Sequence, residues 1–181
     1  KIHRDIRSRR SLGVHWGSFE MSDESLDDKA FGIIQNIVKL AEPNGVKVVL
    51  YPHADAWCEK VSDCVRMAKR FPDKKVGVMF NLCHWAAVDK TENLKSVLES
   101  ASPWLAAVTI NGTDMPEEIQ SRPGRDGWLQ PLDSGSFDQK NLITILEELG
   151  YDGPVGLQCY GIPGDAKTHL ERSMKTWKTL P

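Results

Sequence analysis

The chain has 181 residues with Lys+Arg 23 against Asp+Glu 25, a net charge of -2, so it lacks the basic surplus that a binder of nucleic acid or anionic membrane needs. With 40% hydrophobic and 27% charged residues, and no apolar run near the roughly 20 residues that cross a bilayer, it reads as one folded domain over residues 1–181. Its four cysteines, Cys58, Cys64, Cys83 and Cys159, form no CxxC pair and are too sparse for a stapled secreted module, which points to a reducing, cytoplasmic setting.

The opening Lys1 to Arg10 carries no methionine and fits poorly as a natural start, and Leu12 to Trp16 (LGVHW) reads as a first strand. The acidic stretch SDESLDD suits the start of a helix over Phe31 to Leu40, which Pro43, Asn44 and Gly45 stop before a strand at Val46 to Leu50. A second helix is expected from Ala56 to Arg70, ended by Pro72, then a strand at Val76 to Phe80 and a helix at Thr91 to Ser100. After a strand at Leu105 to Ile110, Asn111 to Asp133 lacks any period, and a loop of that length inside a domain points to function. Asp138 is placed to cap a helix reaching Leu149, with Gly150 at its left-handed exit; a strand at Val155 to Gln158 and a helix from Asp165 to Trp177 complete the chain. Strand and helix alternate throughout, the pattern of a parallel sheet covered by helices.

The strand ends carry the most informative residues: LYPH at Leu50 to His53, FNLCH at Phe80 to His84, INGTD at Ile110 to Asp114, PLDSGSFD at Pro131 to Asp138 and GLQCYG at Gly156 to Gly161. In order and spacing these resemble the last strand ends of the xylose-isomerase-like barrel superfamily, the sugar phosphate isomerase/epimerase group that also includes endonuclease-IV-type proteins. The resemblance implies an α/β fold, a (β/α)8 TIM-type barrel of which about five of eight βα units are represented here. A barrel of that kind takes roughly 250 residues, so the front of the barrel is expected to lie outside this sequence. An open sheet has unpaired edges, which makes a homo-oligomer a further expectation.

Members of the superfamily hold a divalent metal with Glu, Asp, His and Glu on their last four strands. Carried over by position, these fall on Tyr51, Asn81, Asn111 and Gln158, so the resemblance implies a degenerate metal site. Neutral phenol and amides offset little of a dication's charge, and no cofactor is expected. The amides have donors and acceptors suited to hydroxyls, and with Tyr51 they are assigned to binding a small-molecule carbohydrate. His84, kept from the superfamily pattern, and His53 are the candidate catalytic residues, as proton acceptors near neutral pH. A rearranged metal set including these two histidines is a further possibility.

Trp57, Trp85 and Trp128 lie after strand ends or in the long loop, where they either stack on a sugar or pack the loops, and Trp85 is carried forward as a binding candidate. Trp104 and Trp177 read as helix-packing residues. Asp114 and Asp133 either supply a missing carboxylate or stabilise turns. Cys83 beside His84 is either a nucleophile or buried core. The Gly161 to Asp165 turn stands where barrels often bind phosphate, but the Asp165 carboxylate already occupies that helix end. Two functions follow: sugar isomerase/epimerase-like proton transfer, or a non-catalytic sugar-binding or assembly subunit of the same fold.

Overall fold

The computed structural model describes residues 24–181; the expectations for Lys1 to Arg10 and for the strand Leu12 to Trp16 lie outside them. Four parallel strands, β1 (Val48–Leu50), β2 (Val76–Asn81), β3 (Leu105–Ile110) and β4 (Val155–Leu157), pair in chain order. Seven α-helices accompany them among the described residues: α1 (Glu24–Ala41), α2 (Val61–Ala68), α3 (Leu82–Val88), α4 (Leu94–Ala101), α5 (Pro116–Gln120), α6 (Gln139–Glu148) and α7 (Ala166–Trp177). None of them is long and apolar enough to cross a membrane. Parallel strands in sequence order with intervening helices form part of a β/α barrel.

The two faces of the sheet bury different things, as the period of two in a strand requires. Val76, Val78 and Phe80 of β2, with Val108 and Ile110 of β3, enter the main core with α2, α4 and α6. Val49, Met79 and Ala107 form a smaller cluster on the other face, with Tyr51 packed against it. This second face is the inner one of the barrel, and it carries the side chains considered below.

Several boundaries differ from those expected, each through a local hydrogen bond. The Val46 N–H donates to the Ala41 carbonyl and closes the end of α1, so β1 starts only at Val48. Residues 53–58 are held in a turn by His53 N–H to Cys58 O and Ala56 N–H to His53 O, and the Asp63 carboxylate accepts from Lys60 N–H; α2 therefore starts at Val61 rather than Ala56. Thr91–Asn93 forms a 3-10 turn before α4. Helix α3 was not expected: Leu82, Cys83, His84, Trp85 and Ala86 are all buried, so LCHWAAV has no polar face to reveal a helical period. Helix α5 breaks the long loop, with Pro116 at its start and Glu117 and Glu118 in its first turn.

Asp138 and Asp165 cap α6 and α7 as expected, accepting from Asn141 N–H and Thr168 N–H, and Gly150 adopts φ 67°. Gly135 has φ 89°, and a Cβ there would collide with the Thr113 carbonyl, to which Phe137 N–H donates. This packing pins the long loop to the end of β3. Cys58 and Cys64 are joined as a disulfide at the start of α2, so two of the four thiols behind the expectation of a reducing setting are not free.

Leu98 of α4 has no exposed surface in the main core. Leu98→Ala is expected to lower unfolding free energy by about 2–5 kcal/mol in urea titration; a change below about 1 kcal/mol would show that α4 is not part of the cooperative core.

Candidate active site at the strand ends

Asn81, the last residue of β2, uses both ends of its amide. Its Oδ1 accepts from His84 N–H at 3.2 Å and from the Cys83 thiol at 3.0 Å, capping α3. That fixes the orientation of the amide, because a backbone N–H can only donate. Its Nδ2 then donates to the Tyr51 hydroxyl at 2.7 Å, and Gln158 Nε2 donates to the same oxygen at 3.2 Å. Three of the four positions matched to metal ligands thus converge on one phenol, which ties the ends of β1, β2 and β4 together.

Asn111, the fourth, is turned elsewhere. Its Nδ2 donates to the carbonyls of Gly112 at 2.6 Å and Trp128 at 2.8 Å, holding the long loop. Gln139 Nε2 donates to the Asn111 carbonyl at 2.7 Å. The three amides therefore do not share one centre: the N–H groups of Asn81 and Gln158 are directed at Tyr51, and those of Asn111 at loop backbone.

The same hydrogen bonds test whether a divalent cation fits. A cation needs oxygens aimed at one centre. Here Asn81 turns its oxygen to the helix cap and, with Gln158, presents hydrogens to a phenol, the reverse polarity. Among the described residues no group of three or more His, Cys, Asp or Glu could hold a metal. These residues do not fit the ion.

Beside this phenol lie two imidazoles. His84, in the first turn of α3, is buried, and His53, three residues beyond β1, is half-buried; their ring centroids are 3.9 Å apart. Tyr51 stands edge-on to His84 at 5.7 Å and lies 6.1 Å from His53. Trp128, from the long loop, meets His84 edge-on at 6.3 Å, with the Arg125 guanidinium 5.4 Å from its ring centre. Sequence reasoning put Trp128 no higher than Trp85, yet Trp128 borders the histidines. Trp85 faces the other way, packed against Phe80 and Phe137 in the core, and Trp57 donates to Asp27 of α1. A signal was present: Trp85 follows His84 directly, so on a helix the two side chains diverge.

Other candidates are tied down. Asp114 binds Arg122 and Gln130, and Asp133 pairs with Arg172 at 2.9 Å, so both brace loops. Burial pushes the Cys83 thiol up to about 12, which keeps it protonated at neutral pH and unsuited to attack. An apolar groove of about 700 Å³ runs between α7 and the β3–β4 ends, lined by Ile110, Leu157, Met174 and Trp177 among others, and excludes both histidines.

Burial, then the neighbouring Cys83, hold the Tyr51 phenol well above its ordinary value of 10.0, outweighing the two amide bonds that favour the phenolate. The native state keeps this proton where the unfolded chain loses it, so the contribution to stability is full below the unfolded value and declines as pH rises past about 10. Tyr51→Phe is expected to flatten that decline in denaturation curves from pH 9 to about 11.5, and to cost about 1–3 kcal/mol at pH 7 through unsatisfied amides. Phenolate absorbance from Tyr51 appearing near pH 10 in the folded protein would contradict the first expectation.

The sequence profile of the xylose isomerase-like TIM barrel family matches residues 11–180, and the chain belongs to that family. Among solved structures it is similar to a D-tagatose 3-epimerase-like protein (17% identity, TM-score 0.72, covering 97% of this chain and 63% of that one). It is also similar to a D-allulose 3-epimerase from Methylomonas sp. (10% identity, TM-score 0.77, 98% and 65%) and to a family 2 AP endonuclease from Brucella melitensis (17% identity, TM-score 0.70, 93% and 61%). At these identities the likeness is one of fold. The chain spans under two thirds of the length of each of these proteins. No curated protein matches its sequence.

Proposed function

We propose that this member of the xylose isomerase-like TIM barrel family acts on a small carbohydrate or sugar derivative, moving a proton beside a carbonyl group as an isomerase or epimerase does, without a divalent ion at the mouth. The observation that carries this reading is the pair of imidazoles, 3.9 Å apart, at the C-terminal ends of β1 and β2. Barrels of this kind place reacting groups at that end of the strands, and imidazole is the side chain suited to taking a proton near neutral pH. The sugar epimerases among its structural neighbours support the substrate class at the level of fold.

The chemistry needs a base for the carbon-bound proton and a partner for the negative charge that grows on the carbonyl oxygen. His53 and His84 supply nitrogen for both tasks. Trp128 offers an aromatic wall against which a sugar ring stacks. Asn81 and Gln158 act indirectly, holding Tyr51, while Asn81 also fixes the first turn of α3 from which His84 projects.

Incubation with a panel of ketoses and aldoses in deuterated water, read by proton NMR, is expected to show solvent exchange at a carbon next to the carbonyl for at least one sugar. His53→Gln and His84→Gln should each slow that exchange by about 10²–10⁴-fold, and dialysis against EDTA should leave it unchanged. Exchange that survives both substitutions, or that EDTA abolishes and Mn²⁺ restores, would overturn the proposal. A sugar that raises the melting temperature without ever exchanging a proton would instead place the chain among non-catalytic sugar-binding subunits.

A further inference from the structure

The two imidazoles are not equivalent, and the backbone of one residue makes them differ. His53 Nδ1 lies 2.7 Å from the Ala54 carbonyl oxygen, and His84 Nδ1 lies 3.3 Å from the Ala54 backbone nitrogen. A carbonyl oxygen only accepts, so His53 Nδ1 must carry a hydrogen. A backbone N–H only donates, so His84 Nδ1 must be bare. In a neutral ring one nitrogen is protonated and the other is not, so each bond also decides the state of the far nitrogen.

We infer that Ala54 sorts the two histidines into opposite tautomers, making His53 Nε2 the proton acceptor and His84 Nε2–H the hydrogen-bond donor of the site. Ala54 is a positioning residue; its own side chain takes no part. It is buried, and its turn is held by His53 N–H to Cys58 O and Ala56 N–H to His53 O, so both of its polar groups are fixed in place. The inference rests on the proton-transfer reading for its purpose, but the tautomers themselves do not.

The assignment narrows the chemistry. The carbon-bound proton passes to His53 Nε2, giving an imidazolium, and its bonding electrons move onto the carbonyl oxygen, whose negative charge accepts the His84 Nε2–H hydrogen bond. The imidazolium then returns the proton to the carbon it left or to the former carbonyl carbon; in the second case His84 Nε2 passes its hydrogen to the alkoxide while it takes the neighbouring hydroxyl proton, so a new carbonyl forms and both rings end neutral. A single base gives the proton back on the face it came from. The pair by itself therefore suits transfer between neighbouring carbons, as in aldose–ketose isomerisation; inversion of a centre needs a second proton donor on the opposite face, which these two rings do not supply.

Two-bond nitrogen–proton correlation spectra of the protein labelled with ¹⁵N in histidine read the tautomers without any sugar. The expected result is a protonated-type Nδ1 with a bare-type Nε2 for His53, and the reverse for His84, assigned with His53→Gln and His84→Gln. Replacing Ala54 by its α-hydroxy analogue, an ester that deletes only the N–H, should move His84 towards mixed tautomers and leave His53 unchanged. Both rings in the same tautomer, or an ester that leaves His84 unmoved, would overturn the inference. Absence of turnover on every sugar would count against the proposed function, with the spectra still deciding the role of Ala54.

Discussion

The phenolic oxygen of Tyr51 accepts one amide hydrogen from Asn81 and one from Gln158, and the arrangement of the strand ends depends on that pair of hydrogen bonds. Residues at the ends of three parallel strands, 30 and 107 positions apart in sequence, are locked to one atom on the inner face. A neutral hydroxyl ties them, which brings no net charge to the strand ends. Burial then keeps the phenol protonated, because the charged form would lie in a poorly solvated cluster beside Cys83.

Asn81 transmits this order to the histidines. One end of its amide is spent on Tyr51 and the other on capping α3, so the position of the strand end fixes the pitch of the helix that bears His84. A carboxylate there could accept the helix N–H but could not donate to the phenol. Asparagine is the residue type that satisfies both neighbours at once, and its complete burial makes that satisfaction energetically necessary. Cys83 follows as a consequence: its thiol donates to the same oxygen and stays a thiol, filling space under the site.

Much of this was legible in the sequence because a strand's period of two assigns faces. Tyr51 shares the face of Val49, Asn81 that of Met79, and Asn111 that of Ala107, so the strand-end matches pointed inward before any contact was known. The caps Asp138 and Asp165 and the exit Gly150 were legible for the same local reason. What was not legible is which way an amide turns. Asn111 and Asn81 are the same residue type at equivalent places, yet one serves the long loop and the other the phenol, because Trp128 and Gly112 bring carbonyls to the first alone. Helix α3 escaped for a related reason, since a segment buried on all sides has no pattern to betray it. The pairing of Cys58 with Cys64 likewise depends on the turn at residues 53–58, which no periodicity announces.

Neutral hydrogen-bonding groups at the strand ends set a limit on the chemistry that the proposed site can perform. A metal stabilises charge on a substrate oxygen by a full dipositive field, whereas one well-placed neutral donor contributes about 10²–10³ in rate. Proton abstraction by imidazole adds about 10²–10⁴. With these two contributions alone, the proposed transfer is faster the more acidic the carbon-bound proton of the substrate already is. The Arg125 guanidinium lies 5.4 Å from the Trp128 ring centre and Trp128 meets His84 edge-on, so the long loop carries a permanent positive charge to the border of the site.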